Sequence, residues 1–196
     1  MYKNVPEVYQ YTSVEALFNG IVRPQEDGSV DLCLLSTNCQ YLNDANEIQY
    51  GKDVVDTVIF GHLKEGGEEF RKLINLDHIY LSSFSTEVNH LPMWSMYGKE
   101  GKGIALGFDV SLLQSERRPL YRCIYDFIEF RYEIQQAVMS SRKKDNIVGN
   151  DPIEFSRRIS ILQELIKHHC YEYESEYRLI IDTNEKPKYR SSSGIL

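Results

Sequence analysis

Short β-favouring runs separated by helical segments of unequal length most constrain what this chain can fold into. Strand-like runs occur at residues 8–11, 30–35, 78–85, 103–108, 120–125 and 176–181. Helical patterns occupy residues 12–18, 43–65, 68–76, 92–97, 127–141 and 152–169. The strands are spaced too irregularly for a doubly wound sheet of repeated βα units, so we expect an α+β fold. The small, apolar run 103–108 is predicted to be a central strand.

The length of 196 residues suits one domain with its own core. We expect that domain to span residues 1–182, followed by a loose polar tail over residues 183–196. The chain has no apolar run near the ~20 residues that cross a bilayer, and it has no basic-then-apolar leader. These features predict a cytoplasmic protein with reduced thiols and no membrane contact.

The cysteines and histidines do not form a metal-ligand pattern. The four cysteines are scattered and lack C-x-x-C spacing, which also disfavours a disulfide scaffold. His168, His169 and Cys170 are adjacent, but neighbouring helical residues point about 100° apart and cannot chelate one ion together. We therefore expect no metal site. The glycine motifs of P-loop enzymes and dinucleotide-binding dehydrogenases are also missing from the sequence.

The formal net charge of −7 disfavours a tight, non-specific grip on nucleic acid. It leaves open a nucleic-acid substrate held briefly at a local basic patch. Arg117-Arg118 and the run 142–144 are candidates for such a patch, although both also fit solvated loops.

Polar and aromatic residues interrupt the apolar runs in three places, at residues 9–13, at 82–85 with 93–97, and at 172–178. If the third segment is extended, Glu172, Glu174 and Glu176 share one face. Three like charges on one face are costly unless water, an arginine or a ligand relieves them. Arg178 is on the same face and is predicted to pair with Glu176. A frayed helix end or an exposed edge that keeps all three carboxylates solvated is the alternative.

Six segments follow one another along the chain, and they are Tyr9-x-Tyr11-Thr12-Ser13, Leu42-Asn43-Asp44-x-x-Glu47, Ser83-Phe84-Ser85, Met93-Trp94-x-x-Tyr97, Gly103-Ile104-Ala105-x-Gly107-Phe108-Asp109 and Glu174-x-Glu176-Tyr177-Arg178. In this order they resemble a bacterial family known as domain of unknown function 2971. The resemblance runs from about residue 8 to residue 181. That family is similar to the ADP-ribosyltransferases, some of which are toxins in bacterial defence against phage.

The resemblance implies a split, cleft-forming β-sheet with flanking helices and an NAD site built from three motifs. Gln10 falls where those enzymes have His or Arg, beside Tyr11 and Thr12. Ser83 and Ser85 match the middle motif, and Glu174 and Glu176 match the catalytic Glu-x-Glu, with Glu176 preferred. Trp94, Tyr97 or Tyr11 would stack on nicotinamide, although Trp94 also fits a core position.

The chemistry of NAD cleavage suits these residue types. Breaking the bond between nicotinamide and ribose creates an oxocarbenium-like transition state. A carboxylate that accepts a hydrogen bond from the ribose 2′-hydroxyl binds this state more strongly than the ground state. The other carboxylate would orient or deprotonate the acceptor.

The resemblance therefore implies transfer of ADP-ribose from NAD to RNA, DNA or protein, in a toxin or antiviral-defence setting with a neutralising antitoxin protein. An NAD glycohydrolase is one alternative. A non-catalytic binding module is another, which Gln10 favours and the paired Glu174 and Glu176 disfavour. Any enzyme reading requires the three clusters to converge on one cleft.

Overall fold

A computed structural model describes residues 5–42, 45–62, 78–113, 115, 119–141 and 152–183. The strands are β1 (Glu7–Thr12), β2 (Val22–Pro24), β3 (Val30–Leu32), β4 (Thr37–Asn38), β5 (Ile79–Ser85), β6 (Ile104–Asp109), β7 (Leu120–Arg122) and β8 (Glu176–Asp182). The α-helices are α1 (Val14–Ala16), α2 (Ala45–His62), α3 (Leu91–Met96), α4 (Val110–Leu113), α5 (Phe127–Ser141) and α6 (Pro152–Gln163). A π-helical turn covers Leu17–Ile21, and 3₁₀ helices cover Cys39–Tyr41 and His169–Glu174.

Six of the described strands form one open antiparallel sheet, which confirms the expected mixture of helices and sheet. The strand order is β6-β1-β5-β8-β7, with β4 also paired to β5. The strands β2 and β3 form a separate two-stranded hairpin. Because β5 lies between β1 and β8, the three polar segments of the sequence reach neighbouring strands.

The two faces of the sheet carry different apolar clusters. On one face, Ile79, Leu81 and Ile180 pack against Ile161 and Leu165 from α6 and the turn after it. On the other face, Val8, Phe84 and Leu179 form a smaller cluster. A further cluster joins the three long helices, and α2 contributes Val54, Val55, Val58 and Ile59 to it. Each fully buried aliphatic or aromatic side chain contributes about 1.5–3 kcal/mol to folding.

The expectation that residues 103–108 form a central strand is wrong. Among the described residues, β6 pairs with β1 alone and ends the sheet. Its side chains are half-buried or exposed rather than buried. Phe108 gains its burial by packing on Phe84 with ring centroids 5.7 Å apart. A small, apolar strand can therefore serve at an edge, where its pairing with β1 at six positions and the packing of Phe108 hold it.

The helix predicted for residues 152–169 ends earlier, at Gln163. The chain then leaves the helix because Ile166 forms a parallel bridge with Ile124. The amide of Ile124 donates to the carbonyl of Leu165 at 2.8 Å, and the amide of Lys167 donates to the carbonyl of Ile124 at 2.9 Å. This non-local pairing redirects Lys167 toward the sheet.

The shared strand face predicted for Glu172, Glu174 and Glu176 is also wrong. Residues 169–174 form a 3₁₀ helix, and Ser175 adopts a left-handed conformation with φ 44° and ψ 48° before β8 begins. Glu172 is exposed, whereas Glu174 and Glu176 are buried. The turn at Ser175 thus brings two of the three carboxylates into the protein.

Smaller differences concern element ends. The first helix is capped by Ser13, whose Oγ accepts from the amide of Ala16 at 3.0 Å, because Thr12 is still paired in β1. The runs 30–35 and 120–125 shorten to β3 and β7. The predicted helix 68–76, the basic patches at 117–118 and 142–144 and the tail beyond residue 183 lie outside the described residues. Within the described ranges, no helix is both long enough and apolar enough to cross a membrane.

Gly51 sets the approach of α2 to the end of α6. A Cβ added at Gly51 would lie 2.5 Å from the carbonyl oxygen of Gln163. We expect Gly51→Ala to lower the free energy of unfolding by about 1–3 kcal/mol, because the clash outweighs the ~1 kcal/mol gain in helix propensity. Urea denaturation measures this, with the exposed neighbour Lys52→Ala as a control expected to change stability by less than about 0.5 kcal/mol. If Gly51→Ala is instead stabilised, α2 and the end of α6 can move apart without a cost in free energy.

Candidate functional site

A cavity of about 350 Å³ opens where β1, β5 and β8 meet α3, the first turn of α2 and the segment after α6. Its wall combines tyrosines, serines and a buried group of charged residues. The wall residues that matter below are Tyr9, Gln10, Tyr11, Glu47, Ser83, Ser85, Tyr97, Lys167, Glu174, Glu176 and Arg178.

The register of the sheet aligns the polar positions of three strands. Ser85 in the middle strand pairs with Tyr9 of β1 on one side and with Glu176 of β8 on the other. Two residues away, Ser83 pairs with Arg178. Directly opposed residues in antiparallel strands project from the same face. These five residues therefore lie on the face that helices cover elsewhere, just beyond its apolar part.

Lys167 is the centre of the charged group. Its Nζ donates to Oε2 of Glu174 and to Oε2 of Glu176, each at 2.6 Å. It also lies 3.7 Å from Oε2 of Glu47. All but a few per cent of the side-chain surface of Lys167, Glu174 and Glu176 is hidden from solvent. A single buried ammonium thus contacts three carboxylates.

Arg178 is the second buried cation, and its predicted pairing with Glu176 is confirmed. Its Nε donates to Oε1 of Glu176 at 2.8 Å, and its Nη2 contacts Oε2 at 3.2 Å. Its remaining N–H groups reach the carboxylate of Glu47 and the main-chain carbonyl of Glu164. Three carboxylates against two cations leave this group with a formal charge of −1.

These contacts fix the ionisation of Glu176 and Lys167. Burial by itself would raise the pKa of Glu176, but Arg178 and Lys167 outweigh it and lower that pKa to about 2. Burial would lower the pKa of Lys167, yet Glu176 and Glu47 raise it above its ordinary value. Glu176 and Lys167 therefore remain charged at neutral pH.

Glu164 differs from the other carboxylates beside the site. It is 3% exposed, and burial raises its pKa to about 7 against the opposing effect of Arg178. Its side-chain contact is a long hydrogen bond of 3.5 Å from Gln163. Glu164 is therefore half protonated near neutral pH, whereas Glu176 stays ionised.

Tyr97 and Ser85 orient Glu174. The hydroxyl of Tyr97 donates to Oε1 of Glu174 at 2.8 Å. Burial and then Glu174 raise the pKa of Tyr97 above its ordinary value, so it remains a donor. Ser85, fully buried, donates from Oγ to the main-chain carbonyl of Glu174 at 2.7 Å and accepts from the amide of Glu87 at 3.0 Å.

Of the nine residues expected at the site from the sequence, seven line this cavity. They are Gln10, Tyr11, Ser83, Ser85, Tyr97, Glu174 and Glu176. Thr12 and Trp94 are absent from its wall. Trp94 instead packs edge-on against Tyr11 with centroids 5.0 Å apart, and its indole N–H donates to the carbonyl of Val88 at 3.0 Å. Trp94 therefore supports Tyr11 from outside the cavity.

Gln10 projects from the opposite face of β1 to its neighbours Tyr9 and Tyr11. Side chains alternate along β1, so Gln10 projects from the face that carries the buried Val8, whereas Tyr9 and Tyr11 project toward Ser85. The hydroxyl of Tyr11 donates to the carbonyl of Glu87 at 2.5 Å and ties β1 to the loop before α3. The side chains of Tyr9 and Tyr11 therefore face the cavity more directly than that of Gln10 does.

Sequence reasoning missed Tyr9, Glu47 and Lys167 as site residues. Glu47 belongs to one of the recognised motifs, but its position suggested only the start of a helix. Lys167 follows the apolar residues Leu165 and Ile166, and a lysine in an apolar run was the available signal. Among the described residues, no cluster of three or more His, Cys, Asp or Glu side chains has the geometry to hold a metal ion.

The burial of Arg178 predicts a large effect when it is removed. Arg178→Met should lower the free energy of unfolding by about 3–5 kcal/mol, because Glu176 and Glu47 lose a buried partner. Arg157→Met is the matched control. Arg157 pairs with Asp182 at 2.5 Å, but the Arg157 side chain is 41% exposed. The control should lose less than about 1 kcal/mol. Equal losses in chemical denaturation would contradict the assignment of Arg178 as a buried network residue.

The raised pKa of Glu164 predicts that the free energy of unfolding depends on pH. The sign is opposite to that of the contribution from Glu176, whose pKa is lowered. Its pKa is about 7 in the folded protein and about 4.3 when unfolded, so stability decreases as pH rises through this interval. Glu164→Gln should remove this slope and stabilise the protein above pH 7 by about 4 kcal/mol. Denaturation from pH 5 to 8 measures both, and the exposed Glu172→Gln should leave the slope unchanged. A slope that persists in Glu164→Gln would assign it to another group.

Comparison with known proteins gives one match. No curated protein and no solved structure matches the chain significantly. The matched family model is described as protein of unknown function (DUF2971) and covers residues 93–179, less than half of the chain. The matched segment runs from α3 into β8 and contains Tyr97, Lys167, Glu174, Glu176 and Arg178. The match supports the resemblance to the DUF2971 family that the sequence motifs indicated.

Proposed function

We propose that this protein is an ADP-ribosyltransferase-like enzyme that transfers ADP-ribose from NAD to a macromolecular acceptor. The supporting observation is convergence: the segments around Tyr11, Ser83–Ser85 and Glu174–Glu176 line one cavity on three adjacent strands. Its volume of about 350 Å³ falls in the range of small-molecule sites. An aromatic and carboxylate-rich wall suits a cationic pyridinium ring joined to a ribose.

In this proposal Glu176 stabilises charge and does not transfer a proton. Its low pKa makes it a poor base at neutral pH but a permanent anion. Each carboxylate oxygen accepts two hydrogen bonds, and Oε1 of Glu176 accepts one, from Arg178, within the described residues. The ribose 2′-hydroxyl would donate to that oxygen, and the bond would strengthen as the ribose becomes cationic.

Glu174 would orient the second reactant. Tyr97 donates to Oε1 of Glu174 and Lys167 donates to Oε2, which fixes the carboxylate for a hydroxyl donor from the acceptor. Tyr97 and Tyr11 would flank the nicotinamide ring. Trp94 would act indirectly, by fixing the ring of Tyr11.

The acceptor is proposed as RNA, DNA or protein, in a toxin or antiviral-defence role that requires a neutralising antitoxin protein. When water takes the place of the acceptor, the same site is an NAD glycohydrolase. The initial cleavage is common to both reactions, so the residue roles above are the same for each.

A non-catalytic binding module is the second candidate, and two observations favour it. Glu174 and Glu176 are 3% and 5% exposed and are held in ion pairs, which restricts their contact with a substrate. Gln10 alternates away from the face that carries Tyr9 and Tyr11. Such a module would bind a ligand in the cavity without cleaving it.

Nicotinamide release from NAD tests the proposal. Release should be measured with and without total RNA, DNA and lysate protein, and label from the ADP-ribose moiety should be followed onto the acceptor. Glu176→Gln should reduce release by about 10²–10³-fold, as loss of one charge-stabilising group does. Glu174→Gln should reduce transfer to the acceptor more than release. Glu172→Gln, an exposed carboxylate two residues away, is the matched control and should be unchanged.

The outcomes separate the candidates. Release without labelled acceptor indicates a glycohydrolase, and release with label on one class of acceptor indicates a transferase. Thermal stabilisation by NAD without release favours the binding module. If NAD shows neither nicotinamide release nor thermal stabilisation under any condition, the proposal that NAD is the substrate fails.

A further inference from the structure

We propose that Lys167 is a positioning residue, whose buried ammonium holds the carboxylates of Glu174 and Glu176 side by side and ionised at the cavity wall. Its role in catalysis rests on the proposed function. Its effect on the two carboxylates rests on geometry alone and can be tested without any reaction.

The shared contact is the first step of the argument. Lys167 Nζ lies 2.6 Å from one oxygen of each glutamate, so those oxygens are within twice that distance of each other. Two carboxylates this close repel, and without a cation between them one of the pair binds a proton more tightly than an isolated carboxylate does. The ammonium therefore determines the charge of the pair as well as its geometry.

The two glutamates depend on Lys167 unequally. Arg178 contacts Glu176 and Glu47, so Glu176 has a second cationic partner. Glu174 has Lys167 as its cationic partner within the described residues, and Tyr97 supplies a neutral hydroxyl. Loss of the ammonium should therefore affect Glu174 more than Glu176.

Lys167 is built to stay in place. Its main chain is fixed by the hydrogen bond from its amide to the carbonyl of Ile124, and its side chain is 4% exposed. Its Nζ also lies 5.2 Å from the centre of the Tyr171 ring, within reach of a cation–π contact. A lysine held this firmly can fix two acidic side chains that approach from a left-handed turn at Ser175.

Other groups around the ammonium contribute to its charge state. The titratable and charged groups that act on it from neighbouring elements are Glu47, Tyr97, Cys123, Tyr125, Tyr171, Tyr173, Glu174, Glu176 and Arg178. Burial raises the pKa of Tyr97, of Tyr125 and of the Cys123 thiol, so these three groups are neutral at physiological pH. The balance near neutral pH therefore lies between the carboxylates and the two cations.

The direct test is a ¹³C NMR titration of glutamate carboxyl groups in the full chain, with Glu174→Gln and Glu176→Gln used for assignment. In Lys167→Met, the upper titration midpoint of the Glu174–Glu176 pair should rise by at least one pH unit relative to the wild type. That shift is about a tenfold gain in proton affinity. Lys52→Met, which removes an exposed lysine, should leave the midpoint unchanged. An unchanged midpoint in a folded Lys167→Met protein overturns the proposal.

A measurement on the wild type guards against a variant that fails to fold. The ammonium protons of Lys167 should exchange slowly with water and give a visible ¹⁵N-correlated signal, unlike those of exposed Lys52. Rapid exchange at Lys167 would show that it does not hold the carboxylates and would overturn the proposal by itself.

The catalytic part is tested by the pH profile of ADP-ribose transfer to the acceptor, because that step is assigned to Glu174. In Lys167→Met, the ratio of transfer at pH 6 to transfer at pH 8 should be at least tenfold smaller than the same ratio in the wild type. A uniform loss at all pH values would assign Lys167 a purely structural role. If the wild type releases no nicotinamide, the proposed function fails, and the NMR measurements still decide whether Lys167 holds the pair.

Discussion

The interaction on which the rest of the structure depends is the buried ion group formed by Lys167, Arg178, Glu47, Glu174 and Glu176. It joins α2, the segment after α6, the 3₁₀ helix and β8. Burying one charge without a partner costs several kcal/mol, so each element is held to the others by the need to keep every charge paired. The ion pairs therefore fix the positions of α2 and of the segment after α6 relative to β8.

This constraint explains why the cavity opens at one end of the helix-covered face. Along β5 and β8, that face is apolar from Ile79 to Leu81 and polar at Ser83 and Ser85. The apolar end binds α6 through Ile161 and Leu165, whereas the polar end is left to the ion group and the tyrosines. A cavity with a permanent anion and half-exposed aromatic rings is a consequence of that change along the strand.

Residues close in sequence were predicted better than residues that meet from distant parts of the chain. The helix 127–141 and the strands near residues 79–85 and 176–182 follow from local periodicity, and the structure has them nearly as expected. The end of α6 and the edge position of β6 depend on the pairing of Ile124 with Ile166 and on strand order. No local pattern encodes such pairings, because they are decided by competition among all the strands and helices.

The sequence by itself determined the mixed fold, three of the segments that line the cavity and the pairing of Glu176 with Arg178. These depend on side-chain alternation and on charges two residues apart, which are local properties. Only the tertiary structure decided that Glu172 stays exposed, that Trp94 supports Tyr11 from outside, and that Lys167 and Glu47 join the site. The physical reason is that a buried charge is stabilised by whichever opposite charge the fold brings near it, and that partner can be more than a hundred residues away, as Glu47 is from Arg178.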